Sequence, residues 1–122
     1  MPNVLIVDDS PTEIHSLRTM LERNGYNVDT ATSAEQGIQQ AKNHQPDLIL
    51  MDVVMPGMNG FQATRRLNKD KITATIPVII VTTKGQETDE VWGIRQGARD
   101  YLVKPVKEQD LIDRIKIILD GI

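Results

Sequence analysis

The chain has 122 residues, no cysteine, and 14 Lys and Arg against 17 Asp and Glu, for a formal net charge of −3. That length suits one domain with a single core, and the lack of cysteine excludes a disulfide-stapled fold. The mild acidity excludes the basic footprint of a nucleic-acid binder, and no apolar run is long enough to span a bilayer.

Met1-Pro2-Asn3 leads straight into an apolar segment with no basic stretch before it, so neither a signal peptide nor membrane insertion is expected, and the expected compartment is the cytoplasm. Val4-Leu5-Ile6-Val7 is a short continuous apolar run, as in a strand buried on both faces. Ser10-Pro11-Thr12-Glu13 predicts a helix start, with Ser10 as N-cap, Pro11 in the first helical position and Glu13 closing a capping box. Ile14, Leu17, Met20 and Leu21 follow at helical spacing, and Asn24-Gly25 ends the helix. Val28 to Ala31 reads as a weaker strand. Ser33-Ala34-Glu35-Gln36 is a second capping-box pattern, opening a helix with Ile38 and Ala41 inward.

Asp47 to Met51 reads as a third strand, followed by loop chemistry in Met55-Pro56-Gly57-Met58-Asn59-Gly60 and a helix over 61–69. In that helix, Arg65, Arg66 and Lys69, with Lys71 beyond and Asp70 between, read as a solvated charged face. Pro77 to Thr82 is the fourth strand, and a helix over 87–96 is ended by Gly97. Asp100 to Val103 is the fifth strand, and a last helix covers 108–119. Strands alternating with helices in this way predict an α/β fold: a doubly wound, five-stranded parallel sheet with five helices on its two faces. No repeat or linker divides the chain, so 1–122 reads as one domain.

In such sheets the loops leaving the carboxyl ends of the strands line the functional crevice. Four of those ends carry a polar group: Asp8 and Asp9 after the first strand, Asp52 after the third, Thr82 at the end of the fourth, and Lys104-Pro105 after the fifth. Taken singly, each has an ordinary explanation as a turn former, strand residue or surface lysine. Together, three carboxylates need a compensating positive charge, because like charges raise one another's pKa. A hard divalent cation with oxygen ligands resolves this, and Mg²⁺ with its retained waters and affinity for phosphate oxygens suits the set. The chemistry favoured is attack of a carboxylate oxygen on a phosphoryl group, forming an acyl phosphate.

Asp8-Asp9, Asp52 with Met55-Pro56-Gly57-Met58-Asn59-Gly60, Thr82, and Tyr101-Leu102-Val103-Lys104-Pro105 resemble the receiver domain of two-component response regulators, in order and in spacing along the whole chain. The resemblance implies a flavodoxin-like, CheY-like fold, with Asp52 as phosphoacceptor. It implies Mg²⁺ held by Asp9, Asp52 and the backbone carbonyl of Val54, with Asp8 acting mainly through water. It also implies that the Thr82 hydroxyl and the Lys104 ammonium contact the phosphoryl group, that the Lys104–Pro105 bond is cis, and that Tyr101 is the switch aromatic that turns inward with Thr82. Thr83 stands where a small residue is common in the family, but it retains the backbone N–H. Val54 and Lys84 occupy places where polar side chains help position the hydrolytic water, and Val54 cannot do so.

Within the family, the segments 55–65 and 91–102 are similar to single-domain receivers of the chemosensory system that controls type IV pilus twitching. That similarity implies a CheA-like histidine kinase as phosphodonor and a downstream protein reading the fourth helix, fifth strand and fifth helix. Trp92, on the fourth helix, fits either a half-exposed partner anchor or a tryptophan lying over the helix–sheet core.

Such a module is not an enzyme in the multiple-turnover sense, since it handles only its own phosphoryl group. Effector and phosphate sink are equally compatible with the residues. A dinucleotide-binding domain would need a Gly-rich turn where Asp8-Asp9-Ser10-Pro11 stands. An aspartyl-nucleophile phosphohydrolase would need a second carboxylate two positions past Asp52, where Val54 stands.

Overall fold

In the computed structural model, residues 1–121 are described, and strands and helices alternate throughout. They are β1 (Asn3–Val7), α1 (Pro11–Arg23), β2 (Asn27–Ala31), α2 (Ala34–His44), β3 (Leu48–Met51), α3 (Gly60–Lys69), β4 (Val78–Thr82), α4 (Glu87–Arg95), β5 (Asp100–Val103) and α5 (Glu108–Leu119). The strands form one parallel sheet in the order β2-β1-β3-β4-β5. The expected doubly wound α/β architecture is therefore the observed one. Among the described residues no helix is long and apolar enough to cross a membrane.

Alternate side chains of a strand point to opposite faces, so the apolar runs feed two cores. Val4 and Ile6 of β1, Leu48 and Leu50 of β3, and Ile79 and Val81 of β4 pack with Leu17 and Leu21 of α1 and Leu111, Ile112 and Ile115 of α5. Leu5 and Val7, Ile49 and Met51, and Val78 pack on the other face with Ala34 and Ala41 of α2 and Ala63 and Leu67 of α3. A smaller group joins Val53, Phe61, Ile80, Ala98 and Tyr101. α4 buries Gly93 alone, because a Cβ there would lie 2.8 Å from Ile80 Cδ1 and 2.9 Å from Tyr101 Cδ2.

Strand and helix limits fall within a residue of those expected, and two of the caps differ from the reading of the sequence. Ser10 does cap α1, its hydroxyl accepting from the Glu13 N–H at 3.3 Å. Glu13, however, does not return the bond: the Ser10 N–H donates to Asp8 Oδ1 at 2.9 Å. At α2, Ser33 accepts from the Gln36 N–H, but Gln36 Oε1 accepts from the Thr32 N–H at 2.7 Å rather than from Ser33. A full capping box forms instead at α3, between Asn59 and Gln62, which starts that helix one residue earlier than the loop composition suggested.

Candidate functional site

The strand order reverses between β1 and β3, and a crevice opens beyond the carboxyl ends of strands at such a point. Register places the predicted residues there. Val7 pairs with Met51, and the Asp52 N–H donates to the Val7 carbonyl at 2.9 Å, so Asp8 and Asp52 leave neighbouring strands side by side. Thr82 pairs with Val103, and the Lys104 N–H donates to the Thr82 carbonyl at 2.8 Å. Four separate strand ends thus deliver Asp8, Asp9, Asp52, Thr82 and Lys104 to one edge of the sheet.

Asp8 and Asp52 are buried and Asp9 is exposed, and carboxylate oxygens of the three lie within 4.8 Å of one another. The Lys104 ammonium is 2.7 Å from Asp8 Oδ2 and 3.9 Å from Asp52 Oδ2, with its side chain only 8% exposed. The Lys104–Pro105 bond is cis, as the family resemblance implied. Burial pushes the Asp52 carboxyl above the ordinary carboxylate range and the Asp8 charge adds to this, while Lys104, the Thr82 hydroxyl and the Val53 N–H pull the other way. For Lys104, burial works against the charge, but the hydrogen bond to Asp8 and the charges of Asp52, Asp8 and Glu13 outweigh it, and its pKa is raised. Three carboxylates against one ammonium leave a negative surplus in a mostly buried place. All the donors are hard oxygens, so the residues fit a hard divalent cation that keeps water in its remaining positions.

Val54, in the loop after Asp52, is 55% exposed, unlike the buried Asp8 and Asp52. Thr82 is fully buried and its hydroxyl accepts from the Lys84 N–H at 3.4 Å. Tyr101 is buried, with its hydroxyl donating to the Lys84 carbonyl at 2.6 Å; the ring is inward, held through the segment that follows Thr82. Trp92 is 48% exposed beside the exposed Val91 and Ile94, which favours a surface position over a place across the core.

Two features were missed in the sequence. Gly60 lets α3 start directly against the loop carrying Asp52, where a Cβ would lie 2.0 Å from the Asp52 carbonyl oxygen; Asn59-Gly60 looked like ordinary turn chemistry. Glu13 comes within 3.7 Å of Lys104 Nζ, and the capping pattern had assigned it elsewhere.

A parallel sheet whose reversal point gathers an acidic triad, a hydroxyl and an ammonium defines the receiver class of signalling domain. The chain belongs to the response regulator receiver domain family, whose family model matches residues 4–116.

It is 59% identical to the protein PilH of Pseudomonas aeruginosa, over 99% of this chain and 100% of that one. It spans about half the length of several transcriptional regulators that it also matches. Among solved structures it is similar to a CheY-like receiver domain protein from Methanospirillum hungatei, with a TM-score of 0.90 and 32% identity over 98% of this chain and 94% of that one. It is also similar to the receiver domain of the sensor histidine kinase PA1611 from P. aeruginosa, which has a magnesium ion coordinated in its active-site cleft. There the TM-score is 0.91, with 28% identity over 98% of each chain.

Proposed function

We propose that this chain is a single receiver unit over 1–122 that accepts a phosphoryl group on Asp52 from a CheA-like histidine kinase, in a Mg²⁺-dependent reaction, and signals by binding another protein. The setting is the cytoplasmic chemosensory control of type IV pilus twitching, supported by the near full-length identity to PilH. The observation that carries the chemistry is the convergence of the Asp8, Asp9 and Asp52 oxygens within 4.8 Å, with Lys104 alongside.

Asp9, Asp52 and the Val54 carbonyl would hold the magnesium, with Asp8 acting through water, and the bound ion would supply positive charge for the oxygens of the transferred group. An Asp52 carboxylate oxygen forms the new bond to phosphorus as the phosphorus–nitrogen bond of the donor phosphohistidine breaks, and the imidazole leaves with the electron pair. The Lys104 ammonium leaves Asp8 for the phosphoryl oxygens, and the Thr82 hydroxyl donates to them. Because Tyr101 is tied to Lys84, two residues past Thr82, a shift of Thr82 toward the phosphoryl group moves the anchor of the ring. This biases the packing of α4, and the exposed Val91, Trp92 and Ile94 of α4 suit the surface read by the downstream protein. The chain turns over only its own phosphoryl group: Val54 leaves no second carboxylate two positions past Asp52 for ester hydrolysis.

The test is intact-protein mass after incubation with acetyl phosphate and Mg²⁺, for wild type and Asp52→Ala. A Mg²⁺-dependent gain of one phosphoryl group in wild type alone is expected. No gain under any condition, or an equal gain in Asp52→Ala, overturns the assignment.

A further inference from the structure

Glu13 is a charged group at this site that the reaction above does not use. It lies in the first turn of α1, three residues past the N-cap, where a glutamate ordinarily accepts the N-cap N–H. Here that N–H is committed to Asp8 Oδ1 at 2.9 Å. The Glu13 carboxylate reaches instead to 3.7 Å from Lys104 Nζ.

One ammonium is therefore shared by three carboxylates, at 2.7 Å from Asp8, 3.7 Å from Glu13 and 3.9 Å from Asp52. Asp8 and Asp52 are buried, whereas the Glu13 side chain is 42% exposed. Glu13 and Lys104 both line a groove of about 430 Å³ that Thr12 of α1 and Thr83 also border. Glu13 is thus the outermost partner of the buried lysine, at the mouth of the site.

We propose that Glu13 is a positioning residue that draws the Lys104 ammonium toward α1 and, by its own charge at the mouth, biases Asp52 against small anionic phosphodonors. The proposal rests on Asp52 being the acceptor. A phosphoryl group arriving at Asp52 needs the ammonium for its oxygens, yet Lys104 stands as near to Glu13 as to Asp52. When the ammonium gives up its hydrogen bond to Asp8 for the phosphoryl oxygens, the Glu13 charge pulls it the other way. A free phosphodonor also meets the exposed Asp9 and Glu13 carboxylates on its way in, and nothing in a small molecule offsets that repulsion. A phosphohistidine carried on a protein brings contacts elsewhere that do. The Glu13–Lys104 pair is partly solvated, so the bias is modest and sensitive to salt.

The experiment compares initial phosphorylation rates of wild type and Glu13→Gln by intact-protein mass. The donors are acetyl phosphate, a dianion, and phosphoramidate, a monoanion, each with saturating Mg²⁺ at low and at high salt. With acetyl phosphate, the bond between phosphorus and the carboxyl oxygen breaks, the Asp52 oxygen–phosphorus bond forms, and acetate leaves with the electron pair.

Glu13→Gln is expected to react about two- to fivefold faster with acetyl phosphate at low salt, the range of a partly exposed charge interaction. The gain should be smaller with phosphoramidate and should fade for both donors at high salt. Unchanged rates, or a change independent of donor charge and salt, overturn the role of Glu13 while leaving Asp52 as acceptor. Failure of both proteins to take up a phosphoryl group from either donor overturns the acceptor reading, and this inference with it.

Discussion

Replacing Gly60 with alanine tests how closely α3 must approach the segment that carries Asp52. A Cβ at this position would lie 2.0 Å from the Asp52 carbonyl oxygen, 2.7 Å from its carbon and 2.8 Å from Val53 Cα. All three are backbone atoms, so no side-chain rotation relieves the overlap, and helix and loop must separate by about 1 Å or more to restore normal contact. The same separation strains the 3.0 Å bond from the Gly60 N–H to the Val53 carbonyl. Overpacking of this kind costs about 1–3 kcal/mol, and a weakened hydrogen bond about 1 kcal/mol more.

The expected loss is thus about 2–4 kcal/mol, which for a domain of this length lowers Tm by roughly 8–16 °C. Urea unfolding followed by circular dichroism measures it, with Gly25→Ala as comparator. Gly25 has φ +88 and no atom within 4 Å of its added Cβ, so alanine there bears only the left-handed backbone cost of about 1–2 kcal/mol. Gly60→Ala should also slow phosphorylation, because the displaced segment carries Asp52, whereas Gly25→Ala should leave it unchanged. A Gly60→Ala loss no greater than that of Gly25→Ala, with a wild-type phosphorylation rate, refutes the steric argument.

Three further outcomes follow from other parts of the molecule. The Tyr101 phenol is pushed up to about 12 by burial, with Asp89, Glu90 and Asp52 adding to the effect. Because its folded pKa exceeds the unfolded value near 10, its contribution to stability is complete below about pH 10 and is lost as pH rises through about 12. Tyr101→Phe should abolish that alkaline decline and cost about 1 kcal/mol at neutral pH for the lost bond to Lys84; a tyrosinate absorbance titration in which every phenol ionises near 10 would contradict this. Since the Val54 side chain carries no polar atom to orient a hydrolytic water, the phosphorylated chain should persist for minutes or longer once donor is removed, and a decay within seconds, followed by mass, rules that out. Trp92→Ala should change stability by less than about 1 kcal/mol and wild-type fluorescence should be readily quenched by acrylamide, whereas a protected, blue-shifted emission would mean that the indole is packed inside.

The sheet was legible because each buried strand is a continuous run of aliphatic residues between polar segments, and the site was legible because those runs stop at Asp8, Asp52, Thr82 and Lys104. Competition for single donors and acceptors was not legible. Ser10 and Glu13 match a capping box, yet Asp8 arrives first at the Ser10 N–H because it lies only two residues earlier, just past the end of β1. Glu13 is then left to Lys104, a partner from the far end of the chain that no local pattern reveals. Gly60 and Gly93 were unreadable for a related reason: what a Cβ would meet at each comes from another segment, Asp52 in one case and Ile80 with Tyr101 in the other. Trp92 fitted two readings because Val91, Trp92 and Ile94 of α4 lie outward, so that on this helix composition and burial part company.

That Gly93 is the one residue α4 buries bears on how such a protein diversifies after duplication. Most helices here are tied to the sheet by aliphatic side chains whose replacement endangers folding, so their sequences are constrained from within. The outward positions of α4 carry no such obligation. Substitutions at Val91, Trp92 or Ile94 leave the fold nearly untouched while altering what a partner meets. A copy of this chain could therefore acquire a new listener through a handful of changes on one helix, keeping the residues at the strand ends intact.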